Sequence, residues 1–193
     1  MISKNNQDTK ALSHYAFLLI IRFAALLAIA IVIGYHAGKG LHDSNARPSI
    51  TFDNASPNIK SFILAVINFS KTELTLTLLA VVSAFTFFCP LICHTLVLAW
   101  GFIYGVRASF INFAYGITSE SLIYLIFSGI FSIILIYFSA YSQNTNKRFL
   151  IGRGHSKYGV MSQDLKTYLI ECIKILTTIA ITQTLCVILL LYH

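Results

Sequence analysis

The chain has 193 residues, of which 56% are hydrophobic and only 11% are Asp, Glu, Lys or Arg, so its composition excludes a water-soluble domain, a disordered chain and a disulfide framework. The mean hydropathy of +0.74 indicates side chains that face lipid. Fourteen Lys and Arg against seven Asp and Glu give a net charge of +7, which is typical of cytoplasmic loops in membrane proteins, and the absence of basic patches interleaved with aromatic residues argues against a nucleic-acid partner.

The first apolar run, from about residue 16 to residue 35, predicts a transmembrane helix. A helix of about 20 residues crosses a hydrocarbon core about 30 Å thick. The run lacks a clear small-x-small cleavage site, so we expect it to be retained as an anchor rather than removed as a signal peptide. The first predicted unit is therefore residues 1–36, a cytoplasmic tail followed by this anchor.

The second predicted unit, residues 37–73, is an extracytoplasmic connection. It contains Pro48, Pro57 and charges of both signs, which are typical of a polar linker between spans. Within it, residues 59–69 place apolar side chains at helical spacing. This pattern predicts a helix that lies in the membrane interface or packs on the surface of the bundle.

The third predicted unit, residues 74–193, is a four-helix membrane bundle. Residues 74–117 form an apolar run that is too long for one span, and Pro90 is the natural break because it lacks an N–H group. The predicted helices of this unit span about residues 74–90, 95–115, 120–141 and 168–192.

The connection predicted at residues 142–166 gives the strongest signal of orientation. It carries five basic residues against one acidic residue, namely Lys147, Arg148, Arg153, Lys157 and Lys166 against Asp164. The positive-inside rule places this basic loop and the N-terminus in the cytoplasm. The predicted fold class is thus an all-α, polytopic transmembrane helical bundle of about five spans in the cell membrane.

Small residues recur at every fourth position in the third predicted span. Gly101, Gly105 and Ser109 therefore share one helical face, and Ala30 and Gly34 provide a matching stripe in the first span. Such faces let two helix backbones approach closely. They predict packing inside the bundle, and an interface for a partner protein is the alternative.

Polar residues inside the predicted spans are candidates for a functional role. Arg107 lies near the middle of the third span, where a charged side chain needs a partner or a watery cavity. Glu171 and Glu120 are its candidate partners, and Asn112 can supply a hydrogen bond. Glu171 can also neutralise Lys174, three residues further along the helix. The alternative is an arginine that bonds backbone carbonyls and reaches for one interface.

Cys89 and Cys93 raise the question of catalysis, because cysteine, histidine and arginine are the residues of exosortase-type intramembrane peptidases. His94 is adjacent to Cys93, so their side chains point about 100° apart on a helix and are poorly placed as nucleophile and base. No second Cys or His pair follows at zinc-binding spacing. We therefore expect no enzyme, metal or cofactor. The alternatives are a cysteine peptidase, a small transporter or permease subunit, and a pore-forming homo-oligomer.

The glycine string of the third span resembles the stage II sporulation protein M family, small membrane proteins with a Gly-Phe-x-x-Gly element in a central helix. Gly101, Phe102 and Gly105 match that element, whereas Trp100 stands where the family often has a charged or polar residue. The resemblance implies a noncatalytic membrane scaffold that positions cell-wall hydrolases during sporulation. Its expected partners are the lipid bilayer and other membrane or cell-wall proteins.

Overall fold

The computed structural model of the chain describes residues 2–43, 59–115, 118–152 and 158–192. Five α-helices account for most of these residues. They are α1 (Ile2–Asp43), α2 (Ile59–Ser83), α3 (Cys89–Phe110), α4 (Ser119–Gly152) and α5 (Tyr158–Tyr192). A π-helical turn, Ile111–Tyr115, extends α3. The described residues contain no strand, so the predicted all-α helical bundle is confirmed.

Among the residues whose side chains the structure describes, four helical segments are long and apolar enough to cross a membrane. The apolar segments are Tyr15–Gly40 in α1, Cys89–Phe113 in α3 and its π-helical turn, Ser121–Lys147 in α4, and Leu165–Leu190 in α5. Their outer faces carry large apolar side chains such as Val32, Ile133 and Ile173, each more than half exposed. Such a surface is stable where lipid is the solvent. The chain is therefore a multi-pass membrane protein.

The boundary between α2 and α3 lies earlier than the sequence predicted. α2 ends at Ser83 and α3 begins at Cys89, so Pro90 lies in the first turn of α3 instead of closing α2. Proline suits this place because the N–H groups of a first helical turn have no intrahelical acceptor. Pro90 therefore marks the start of α3, and residues 84–88 form the turn between α2 and α3.

The helices also extend beyond the apolar runs. α1 continues to Asp43, and α2 begins at Ile59, so the segment expected at the interface is continuous with the second helix. Most of the expected loop at residues 142–166 is helical, because α4 reaches Gly152 and α5 begins at Tyr158. Hydropathy marks the apolar part of a helix, whereas polar residues of adequate helix propensity prolong it. Residues 44–58 of the expected connection lie outside the described residues.

Side chains from α4 and α5 hold the turn between α2 and α3. The side-chain amide of Asn146 donates to the carbonyl oxygens of Ala84 and Thr86, both at 2.8 Å. The ring of Tyr168 packs edge-on against Phe85 of the turn, with 5.5 Å between ring centroids. The turn is thus part of the packed end of the bundle.

Replacing Asn146 with alanine is expected to lower the free energy of unfolding by about 1–3 kcal/mol, because two carbonyl groups lose a donor. Asn146→Asp is expected to cost more, since a carboxylate oxygen then faces those carbonyl oxygens. Thermal unfolding of the detergent-solubilised protein, followed by circular dichroism, measures both effects. An aspartate variant as stable as the wild type contradicts the assigned bonds.

Candidate functional site

α1 and α3 meet at the glycine positions that stand out in the sequence. A Cβ atom on Gly105 would lie 2.2 Å from the carbonyl oxygen of Ile31, and one on Gly34 would lie 2.2 Å from that of Phe102. Real Cβ atoms essentially never come within 3.0 Å of such neighbours, so both positions require glycine. Backbone lies against backbone at both points, which fixes the register of α1 on α3.

The same contact continues along both helices. A Cβ atom on Gly101 would lie 2.7 Å from the Ala30 methyl carbon, and one on Gly38 would lie 2.8 Å from Cβ of Ser109. The stripe of α1 and the stripe of α3 therefore lie face to face within one chain. Both faces are buried by this packing. Phe102 contributes its backbone to the contact, and its side chain is 42% exposed on the outer surface.

Arg107 is paired with Glu73 of α2. Its Nη1 atom lies 3.9 Å from Oε1 of Glu73. The Glu73 side chain is 1% exposed and the Arg107 side chain is 29% exposed. The sequence placed Glu73 at the edge of the polar connection, ahead of the second span. In the structure it belongs to the interior of a helix that begins at Ile59, and it joins α2 to α3.

The sequence offered Glu171 and Glu120 as partners of Arg107. Glu171 pairs with Lys174, with 2.6 Å between Oε1 and Nζ, so it is not the partner of Arg107. The side chain of Glu120 lies outside the described residues. Asn112 donates to the hydroxyl of Tyr35 at 2.7 Å and ties the π-helical turn to α1.

Aromatic rings and hydroxyl groups extend the ion pair into α4. Nη1 of Arg107 donates to the hydroxyl of Tyr124, and the guanidinium carbon lies 5.9 Å from the ring centroid of Trp100. The Trp100 indole donates to the hydroxyl of Ser132 at 2.8 Å. Ser132 in turn donates to the carbonyl oxygen of Ser128 at 2.9 Å. We call the group formed by Glu73, Arg107, Trp100, Tyr124 and Ser132 the polar cluster, and it joins α2, α3 and α4.

Several buried side-chain polar atoms among the described residues have no hydrogen-bond partner. Two of them, Oε2 of Glu73 and Oε1 of Gln183, lie in the interior of the bundle. Both side chains are almost fully buried, at 1% and 2% exposure. Removing one partner of a buried ion pair leaves an uncompensated charge, so Glu73 depends strongly on Arg107. The ion pair in the polar cluster is therefore asymmetric, because the Glu73 side chain is buried and the Arg107 side chain is partly exposed.

Cys89 and Cys93 lie one helical turn apart on α3 and face Ser83 of α2. Their Sγ atoms are 3.8 Å apart, and Oγ of Ser83 lies 3.6 Å from the first and 3.5 Å from the second. All three residues are buried. The His94 ring packs against Phe23 instead, with 4.9 Å between ring centroids. The two thiols thus share hydrogen bonds with the Ser83 hydroxyl and with each other. The described residues contain no group of three or more His, Cys, Asp or Glu side chains that could hold a metal ion.

Sequence reasoning missed Glu73 and Tyr124 as members of the polar cluster. A signal for Glu73 was present in the sequence, because Glu73, Thr77 and Ala80 follow each other at helical spacing. In the structure all three are buried. Extending the second helix toward its N-terminus would have placed Glu73 on the inner face. Tyr124 carries no comparable signal, since tyrosine is common along membrane helices.

Comparison of the chain with protein-family models, with curated proteins and with solved structures finds no match. The resemblance to the stage II sporulation protein M family stays a prediction.

Proposed function

We propose that the chain is an integral membrane scaffold or assembly subunit that acts by binding and not by catalysis. The observation that carries this proposal is the use of the polar cluster and the small-residue stripes, which join the chain's own helices. Arg107 and Glu73 hold α2 to α3, and Gly34 and Gly105 hold α1 to α3. An interior committed to internal contacts gives a rigid frame, which is the property that a scaffold needs.

In this proposal the chain lies in the cell membrane with its N-terminus in the cytoplasm. The basic region at residues 142–166 then contacts anionic lipid on the inner side, and the connection between α1 and α2, residues 44–58, lies outside. The outer segment binds the partner, which is a membrane or cell-wall protein. The resemblance to the stage II sporulation protein M family supports cell-wall hydrolases, positioned during sporulation, as the class of partner.

Affinity purification of the tagged chain, after crosslinking in cells and extraction in mild detergent, tests the proposal. A membrane or cell-wall protein is expected to co-purify reproducibly. Replacing residues 44–57 with a Gly-Ser linker of equal length is expected to abolish this capture while membrane insertion is kept. Replacement of residues 153–157 is the matched control and is expected to leave capture unchanged. Capture of nothing beyond what an unrelated membrane protein captures contradicts the proposal.

The cysteine peptidase alternative makes the opposite prediction for Cys89 and Cys93. If the thiols only pack, a variant with both changed to alanine keeps full partner capture and loses about 1–2 kcal/mol of stability from the missing sulfur atoms. Capture and the mass of the bound partner are both measured after purification. A variant that folds and still binds the partner, but accumulates it in an uncleaved, heavier form, favours the peptidase.

A further inference from the structure

A charged pair lies exposed on the outer face of α5 within its apolar segment. The Lys174 side chain is 63% exposed and that of Glu171 is 28% exposed. Tyr168, which precedes them, packs against Phe85 in the turn at the end of the bundle. Lys174 is six residues beyond Tyr168, which places it about 9 Å further into the bundle.

Charges exposed at this depth are unfavourable toward lipid and mark a surface that is covered by something other than acyl chains. The Nζ atom of Lys174 donates to Oε1 of Glu171 at 2.6 Å, so the pair is neutral as a whole. An ammonium group carries three N–H donors, and the bond to Glu171 uses one of them. Neutralisation within the pair therefore does not make the surface apolar.

The pair belongs to a longer row on α5. Glu171, Lys174, Thr178, Thr182 and Leu185, which we call the α5 row, follow each other at spacings of three or four residues and share one side of the helix. Thr178 is exposed, and Leu185 is 49% exposed. Spacing of three and four residues is the pattern of the seam between two paired helices, where polar residues set the register.

We propose that the α5 row is a homodimer interface, at which a second copy of the chain pairs through its own α5. Two copies inserted in the same orientation have parallel α5 helices related by a two-fold axis normal to the membrane. Lys174 of one copy then lies three residues, or about 4.5 Å along the axis, from the level of the partner's Glu171. A lysine side chain spans that distance.

Charge complementarity identifies a second copy as the occupant. The symmetry forms the Lys174 to Glu171 contact twice, so the four charges close a ring away from lipid. A partner of different sequence would need its own acid and base at the same spacing to do this. Dimerisation is measured without any scaffold partner, so its failure and the failure of the proposed function are separate results.

Crosslinking through introduced cysteines tests the geometry. Thr178→Cys and Leu185→Cys in native membranes are expected to give a disulfide-linked dimer on mild oxidation. Ile173→Cys, on another side of α5 and 65% exposed, is the matched control and is expected to give about fivefold less dimer. The wild-type chain controls for the native cysteines, of which all four are buried. Equal crosslinking at residues 173 and 178, or an adduct with the mass of another protein, overturns the proposal.

Charge reversal tests the pairing itself. Lys174→Glu alone and Glu171→Lys alone each bring four like charges together, and each is expected to reduce dimer crosslinked through Leu185→Cys by about fivefold or more. When the two variants are expressed together with different tags, the mixed dimer is expected to recover, because acidic and basic rows now face each other. A misfolded chain does not give this recovery. Loss in both variants without recovery in the mixture overturns the proposal.

Discussion

Changing Gly105 to alanine is expected to lower the stability of the protein by at least about 3 kcal/mol, although the change adds only one methyl group. The new Cβ atom would lie 2.2 Å from the carbonyl oxygen of Ile31 and 2.8 Å from the backbone nitrogen of Tyr35. Both neighbours are backbone atoms, so they cannot rotate away as a flexible side chain does. α1 must move off α3, which weakens the contact along both small-residue stripes.

Thermal unfolding in detergent measures this loss, and the chain offers two matched controls. Gly129 on α4 has the Tyr104 hydroxyl as its nearest neighbour at 3.9 Å, and Gly40 on α1 has nothing within 4 Å. Alanine at either control position is expected to be neutral or to stabilise by up to about 1 kcal/mol, because alanine is the better helix former. Equal unfolding temperatures for the Gly105 and Gly129 variants contradict the close approach of α1 and α3.

Hydropathy and local spacing predict much of this fold. A bilayer requires about 20 apolar residues for each crossing helix, so long apolar runs mark membrane helices directly. Small residues at every fourth position are also a local property, and the stripes at Gly34 and Gly105 are visible without knowledge of the fold. Helix ends are less well marked, because a proline such as Pro90 occurs both in the first turn of a helix and just beyond the end of one.

The pairing of Arg107 with Glu73 is not a local property of the sequence. Lys71 and Glu73 stand two residues apart in the same stretch, yet the first is exposed and the second is buried. Helical phase separates them, and that phase is set by how α2 rotates against its neighbours. The depth of Glu73 relative to Arg107 depends in turn on where α2 starts. Both quantities come from tertiary packing, so the sequence identified the arginine within the span but not its partner.

Replacing Arg107 with methionine is expected to destabilise the protein by about 3–5 kcal/mol, because it leaves the Glu73 carboxylate buried without a counter-charge. Replacing Glu73 with glutamine is expected to cost less. The Arg107 side chain is 29% exposed, so without its partner it can turn toward water or lipid headgroups, whereas Glu73 at 1% exposure cannot. Thermal unfolding in detergent ranks the two variants. Arg22→Gln, at an exposed position of α1, is the control for loss of an arginine and is expected to change stability by about 0.5 kcal/mol or less.

The double variant Glu73→Gln with Arg107→Met separates a buried pair from two independent losses. Once residue 73 carries no charge, removal of the arginine leaves no unpaired carboxylate in the interior. The double variant is therefore expected to be more stable than Arg107→Met alone. The coupling free energy from the double-mutant cycle is expected to be about 2 kcal/mol or more. Additive losses would contradict the pairing and would mean that Arg107 is held by Trp100 and Tyr124 alone. Because the unpaired carboxylate and not the arginine dominates the loss, the order of the three variants reports which side of the pair lies in the apolar interior.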